Sequence, residues 1–223
     1  MTFPLFETSV FPTSDPVTSL YATKGKRLFD LSLILLALPV LVPVFILIVG
    51  LTLLQGGRPF YSQLRVGQNG RNFRCWKIRT MVPNAEQVLR DMIANDPVVA
   101  AEWNLNQKLA KDPRITRIGT ILRKTSLDEL PQLFNVLNGT MSLVGPRPFM
   151  PDQQPLYRDG RTDTAYYRVR PGITGLWQTA RRNSGSFAER VLFDTRYVRR
   201  MSLREDLMIL VRTVSVVLRA TGK

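Results

Sequence analysis

Two adjacent carboxylates, Asp128 and Glu129, lie in the stretch Thr125-Ser126-Leu127-Asp128-Glu129-Leu130-Pro131-Gln132-Leu133, just after Arg123 and Lys124. A carboxylate can act as a nucleophile in its own right, and it is also an oxygen ligand for Mg2+. The sequence has no His and a single Cys, Cys75. That excludes Ser-His-Asp triads, Cys-His dyads, HExxH metal sites, multi-Cys zinc sites and an intrachain disulfide. Polar catalysis would fall to Asp, Glu, Lys, Arg, Tyr, Ser or Thr. Cys75 is most simply a small buried hydrophobe.

The carboxylates also have a purely structural reading. Ser126 followed three residues later by Glu129 matches a capping box. Pro131 has no N–H to donate, so the pattern predicts a helix beginning near Asp128, with Pro131 in its first turn and Gly139 closing it. A helix N-terminus helps to keep an Asp ionised. Capping and catalysis both remain open from local sequence.

Lys and Arg number 31 against 17 Asp and Glu, a formal net charge of +14. Such an excess implies an anionic partner: nucleic acid, a phosphorylated metabolite or an acidic membrane face. Pro146 and Pro148 hold a single Arg147 between them, and a rigid guanidinium suits bidentate phosphate binding, although a stiff surface turn has the same sequence. Gln68-Asn69-Gly70 signals a hairpin turn, and Phe73, Cys75, Trp76 and Ile78 suit the strand after it. Lys77 and Arg79 on that strand either meet phosphates or form a solvated face. A glycine-rich loop, Pro171 to Gln178, is flanked by Arg168, Arg170, Arg181 and Arg182.

These residues need elements to position them. Residues 1–23 hold no Lys or Arg, are punctuated by Pro4, Pro12 and Pro16, and read as an irregular leader rather than a signal peptide. The uncharged run from Leu31 to Leu54 has the ~20 residues a membrane helix needs. Pro39 and Pro43 lie within it, and both flanks are basic: Lys24, Lys26 and Arg27 before, Arg58, Arg65, Arg71 and Arg74 after. Basic flanks favour the cytoplasmic side, so a helix-break-helix over 24–55 that dips into one leaflet and returns is preferred to a simple span. Helices are expected from Asn84 to Asn95 and, more weakly, within Pro97 to Lys111, before a turn at Asp112-Pro113. Ile115, Ile118, Ile121 and Leu122 alternate with basic residues, as on an interfacial or ordinary amphipathic helix. Ser202 and Glu205 form a capping box ahead of Leu203, Leu207, Leu210, Val211, Val214 and Leu218, another amphipathic helix. The expected class is α+β, mostly helical, with a re-entrant membrane helix, amphipathic interfacial helices and a small β-hairpin around the active site. Residues 56–223 would form the catalytic domain. There is no P-loop, GxGxxG, repeat or low-complexity tract.

Several segments together resemble the bacterial sugar transferase family, the monotopic polyprenyl-phosphate phosphoglycosyl transferases. They are Lys26-Arg27-Leu28-Phe29-Asp30, Arg65-Val66-Gly67 through Lys77-Ile78-Arg79-Thr80-Met81, Asp112-Pro113-Arg114-Ile115-Thr116, Leu122 through Gln132, Ser142 to Pro148, and Arg170 to Gln178. Each is weak alone; in this order they are specific, and they cover the chain from about Lys24 onward. The pattern is similar to the short branch that initiates exopolysaccharide repeat units. The resemblance implies a two-step, Mg2+-dependent reaction. Asp128 attacks the β-phosphate of a UDP-sugar and UMP leaves; the sugar-phosphate then passes to undecaprenyl phosphate. Glu129 would bind the metal with Asp128 or assist proton transfer. Arg123 and Arg147 would hold phosphate groups, with Lys77 and Arg79 on a basic strand nearby. It also implies the cytoplasmic face of the bacterial inner membrane, no nucleic-acid partner, a possible homodimer, and galactose or glucose as the sugar. Two positions depart from the family pattern: Val42 stands where Ser usually precedes the break proline Pro43, with Pro39 extra, and Arg181 stands where Gly is usual. The competing reading is a membrane-anchored basic protein that binds acidic lipid or nucleic acid; it gives no reason for Asp128-Glu129 beside Arg123.

Overall fold

The computed structural model describes residues 19–106, 109–158, 165–181 and 189–218. Residues 1–18 of the expected leader and Arg182 lie outside them, as does the side chain of Arg181. Structure begins ahead of the expected leader boundary, because Tyr21–Gly25 is a π-helical turn running into helix α1, Lys26–Leu53.

Helix α1 contains Pro39 and Pro43, yet its helical backbone runs through both. The expected break is therefore not present as an interruption of secondary structure. Each proline forfeits one N–H bond, but the neighbouring residues keep the ladder, and a proline can bend a helix without ending it. One stripe of α1 is buried: Lys26, Asp30 and Ile34 in the first half, Ile48 and Thr52 in the second. The other side exposes Leu28, Leu35, Leu36, Val40, Val42, Ile46 and Leu47. An 18-residue window of this helix is long and apolar enough to cross a membrane, with 11% of it buried in the protein.

Strands β1 (Phe60–Val66) and β2 (Asn72–Ile78) pair antiparallel from Phe60↔Ile78 to Val66↔Asn72. The turn between them is the expected one: Asn69 and Gly70 take φ of 57° and 73°, a region Asn tolerates and Gly favours. Helices α2 (Ala85–Asn95) and α3 (Pro97–Asn106) follow. Asn84 precedes α2 but its side chain makes no cap bond. Helix α4 (Arg117–Thr125) is capped by Thr116, whose Oγ1 accepts from the Gly119 N–H at 2.9 Å.

The next stretch corrects the sequence reading. Ser126 is left-handed (φ 59°) and ends α4; Leu127–Glu129 is a 3-10 turn; α5 spans only Gln132–Leu137, with Pro131 at its N-cap. Bonds from Leu130 N to Leu127 O and from Leu133 N to Leu130 O keep the chain tightly wound. Pro131 cannot donate, so α-helical bonding starts only after it. Gly139 closes α5 at φ 82°, as expected.

Strand β3 (Ser142–Val144) pairs parallel with β4 (Gly172–Thr174), a ladder that the sequence had suggested only as two loops. Helix α6 (Gln154–Arg158) lies between them; α7 (Leu176–Arg181), α8 (Glu189–Arg200) and α9 (Leu203–Leu218) complete the described chain. Val144, Leu176, Tyr197, Val198 and Ile209 form one core cluster; Ile34, Phe73, Cys75, Val136 and Met141 form another. Helix α9 buries Asp206 and Ile209 and turns Leu203, Leu207, Val211 and Val214 outward. Most of the expected apolar stripe is thus its exposed face.

Polar groups fix α1 to the rest. Fully buried Asp206 accepts from Lys26 Nζ at 2.5 Å, Tyr21 Oη at 2.6 Å and Tyr197 Oη at 2.8 Å. Asp30 accepts from Ser142 Oγ at 2.6 Å. Breaking a buried ion pair strands the remaining charge, at about 3–5 kcal/mol. Asp206→Ala is therefore expected to lower the thermal midpoint of the detergent-solubilised protein sharply, and Leu207→Ala, on the exposed face, far less. Equal midpoints for the two variants would remove this anchor from the account of the fold.

Candidate active site

Strand β2 turns Phe73, Cys75 and Lys77 to the same side, at the two-residue spacing of a pleat. The first two are buried apolar residues; the third carries a cation into the same row. Asn135 of α5 docks on this strand, accepting from Trp76 N–H at 3.1 Å and donating to the Arg74 carbonyl at 2.8 Å. The carboxamide acts as a short extra strand edge, and it sets the turn before α5 against Lys77.

Lys77 Nζ lies 2.8 Å from Glu129 Oε1 and 3.7 Å from Asp128 Oδ2. Arg147, held by the Pro146–Pro148 frame, donates from NH2 to the same Glu129 Oε1 at 3.1 Å. Arg123, at the end of α4, donates from Nε to Thr80 Oγ1 at 2.9 Å and adds its charge near Asp128. Asp128, Glu129, Lys77, Arg123 and Arg147 thus come together. Arg79 does not join them: past the end of β2 its guanidinium turns back and donates to the Gly56 carbonyl. Pro39 and Pro43 are in α1, as described.

The capping box does not form. Ser126 makes no side-chain cap bond to the turn, and Glu129 directs its carboxylate to two cations instead. Three features of the site were missed from sequence. Arg65 on β1 adds positive charge near Glu129 and Arg147. Arg190, buried on α8, donates to the backbone carbonyl of Arg147 and sits 5.1 Å from the Trp177 ring. Gln178, with Thr125, Leu130, Leu143 and Thr213, lines a cavity of about 290 Å3 that also touches Glu129 and Arg147. Arg65 and Gln178 lay in segments that carry the family resemblance, which was the signal available for them; Arg190 had none.

The two carboxylates are tuned apart. Burial raises the Glu129 pKa, but Arg147 and Lys77 overcome it and hold it at about 2, against an ordinary 4.5. Asp128 is pushed above its usual value, first by burial and then by the charge of Glu129, with Lys77 opposing. The dipole expected to favour ionised Asp128 is weak here, because the residue precedes a six-residue helix rather than starting a long one. The pair offers carboxylate oxygens, the donor type of a hard cation; among the described residues no group of three or more metal-binding side chains occurs. Mg2+ is commonly bound by one or two carboxylates plus substrate phosphate.

A family model described as bacterial sugar transferase matches residues 21–220. The chain belongs to the bacterial sugar transferase family. It is 47% identical over 199 residues to the exopolysaccharide production protein ExoY of Sinorhizobium fredii, covering 89% of this chain and 87% of that protein. It is 48% identical over 197 residues to a UDP-galactose-lipid carrier transferase of Erwinia amylovora, and 47% over 198 to an undecaprenyl-phosphate galactose phosphotransferase of Salmonella typhimurium. Those two alignments cover 88% of this chain but 41% of each of the longer relatives.

The depressed Glu129 pKa links to stability. A carboxylate whose folded pKa is lowered stabilises the fold above its unfolded pKa, and the contribution is lost as pH falls from about 4.5 through about 2. Lys77→Met removes one of the two stabilising cations. In magnesium-free buffer the variant is expected to be less stable at pH 7 by on the order of 1 kcal/mol, the gap closing toward pH 2. Thermal midpoints across pH measure it; a gap that widens in acid contradicts the assignment.

Proposed function

We propose that this chain transfers a sugar-1-phosphate from a UDP-sugar to undecaprenyl phosphate through a covalent intermediate on Asp128, the first membrane step of exopolysaccharide repeat-unit synthesis. The names of its relatives support the substrate classes: a UDP-galactose-lipid carrier transferase and an undecaprenyl-phosphate galactose phosphotransferase. The observation that carries the residue assignment is the unequal treatment of two neighbouring carboxylates. Glu129 takes both close cation contacts, while Lys77 approaches Asp128 only to 3.7 Å. A tightly paired carboxylate is a poor nucleophile; a buried one with cations near but not locked on it retains its basicity.

In the first step an Asp128 oxygen bonds to the β-phosphorus of the donor. The bond from that phosphorus to the bridging oxygen breaks, and UMP departs with the electron pair. In the second, a phosphate oxygen of the lipid attacks the same phosphorus and the aspartyl–phosphorus bond breaks, restoring the carboxylate. Arg147 and Arg123 hold phosphate oxygens, and Lys77 balances charge gathered beside Asp128. Glu129, with Asp128, would hold Mg2+, which when bound would neutralise diphosphate charge. Glu129 also fixes Lys77 and Arg147 in place.

The re-entrant topology belongs to the same proposal and places the enzyme at the cytoplasmic face of the inner membrane. Both halves of α1 rest on α5: Arg27 donates to the Val136 and Leu137 carbonyls, and the Phe45 ring meets Phe134 edge-on at 5.9 Å. A straight helix would separate residues 27 and 45 by ~27 Å, whereas α5 is only ~9 Å long. Contacts of both halves with one short helix support both ends lying on one side, with a bend at Pro39 and Pro43.

Asp128→Asn is expected to lose at least ~10^4-fold in UMP release from a panel of UDP-sugars, and to lose the sugar-phosphate adduct seen by intact mass with donor alone. Normal turnover by this variant refutes the covalent role. Single cysteines at positions 20 and 60 are expected to be labelled from the cytoplasmic side alike; labelling from opposite sides establishes a span instead.

A further inference from the structure

Helix α8 buries one stripe, Arg190, Asp194, Tyr197 and Val198, at the spacing of a core-facing side. Arg190 on that stripe is 5% exposed. An apolar side chain would fill the position without desolvating a guanidinium, so a charge there needs partners. Arg190 donates from NH2 to the backbone carbonyl of Arg147. Its guanidinium lies 5.1 Å from the Trp177 ring and 6.0 Å from the rings of Phe149 and Tyr157. Asp194, one turn along α8, adds an opposite charge nearby, and its Oδ2 accepts from Tyr157 Oη at 2.7 Å.

The choice of acceptor atom has a reason. Pro146 and Pro148 have no N–H, so the segment that carries Arg147 is tied down chiefly through its carbonyls. The Pro146 carbonyl accepts from Gly172 N–H at 2.8 Å, and the Phe149 carbonyl from Val66 N–H at 3.0 Å. Between these two backbone bonds the Arg147 carbonyl is held by a side chain, that of Arg190. A guanidinium suits the task because it donates in its plane while its faces stack on aromatic rings. Arg147 is thus fixed at both ends, its side chain on Glu129 at 3.1 Å and its backbone on α8. We propose that Arg190 is a positioning residue: by clamping the Arg147 backbone from α8 it sets where the Arg147 guanidinium meets the donor's phosphate. It acts through Arg147 and not on the substrate. This rests on the phosphoglycosyl transferase reading above.

The test is a double-mutant cycle between Arg190→Met and Arg147→Met, read as kcat/KM for UMP release with the UDP-sugar that wild type uses best, undecaprenyl phosphate and Mg2+. A misplaced binding group costs up to about 100-fold, so Arg190→Met alone is expected to lose about 10- to 100-fold. In the Arg147→Met background the same change is expected to cost less than about 3-fold more, because the group it positions is gone. Arg190→Lys keeps a charge and a donor without the planar fork; its loss is expected to be smaller and to vanish in the same background, and it carries the cycle if the Met variant does not fold. Losses that multiply across the cycle overturn the proposal and leave Arg190 a general support of the fold. So does full activity in Arg190→Met. Hydrogen exchange tests the clamp without any turnover: amides in segment 145–150 are expected to exchange faster in Arg190→Met, and those of 72–78 at the wild-type rate. Unchanged exchange in 145–150 overturns the clamp. Wild-type protein that releases no UMP from any UDP-sugar would instead count against the functional reading itself.

Discussion

The site depends on one shared oxygen. Glu129 Oε1 receives Lys77 from β2 at 2.8 Å and Arg147 from the proline-framed loop at 3.1 Å. These cations come from segments far apart in sequence, and each would repel the other without an anion between them. The carboxylate therefore holds the hairpin, the turn before α5 and the segment after β3 in register. Burial alone would favour its neutral form; the two cations reverse that and keep it charged. Removing the charge would release both cations, so Glu129 organises the centre whatever further role it has with a metal.

The same constraint explains the shape of the chain around residue 128. The 3-10 turn Leu127–Glu129, stopped before Pro131, keeps both carboxylates on one short segment. Ser126 in the left-handed region reverses the chain directly after α4, which brings Arg123 to the same place from the other side. A non-glycine residue at positive φ is a local cost of order 1 kcal/mol. It sits where the Arg123 guanidinium and the carboxylates meet across a two-element junction.

Much of this was legible in sequence, and the failures share a cause. Period and punctuation gave the hairpin at Asn69-Gly70, α2, α4, Gly139 as a terminator and the long apolar α1, because each is set by local backbone preference. The residues at the centre were legible as types in a basic context. Where Glu129 points was not: Ser126 and Glu129 have capping-box spacing, and only the long-range arrival of Lys77 and Arg147 decides against it. Arg79 failed similarly. It shares the pleat side of Lys77, but β2 ends at Ile78, and beyond a strand end alternation no longer governs direction. The β3–β4 ladder has three residues in each strand, too short for any periodic signal.

The placement of α5 joins the chemistry to the apolar surface. Its first turn follows Asp128 and Glu129, while Phe134 and Leu137 further along are 55% and 46% exposed. Phe45 of α1 meets Phe134, so the exposed face of α1 and these side chains form one continuous apolar region. Exposed apolar surface of that extent is unfavourable in water and implies a nonpolar environment there. From Asp128 to Phe134 the chain advances six residues, ~9 Å at the rise of an α-helix. The carboxylates therefore stand close to the edge of that apolar region. One six-residue helix, pinned to β2 through Asn135, sets the distance between the carboxylates and the apolar surface.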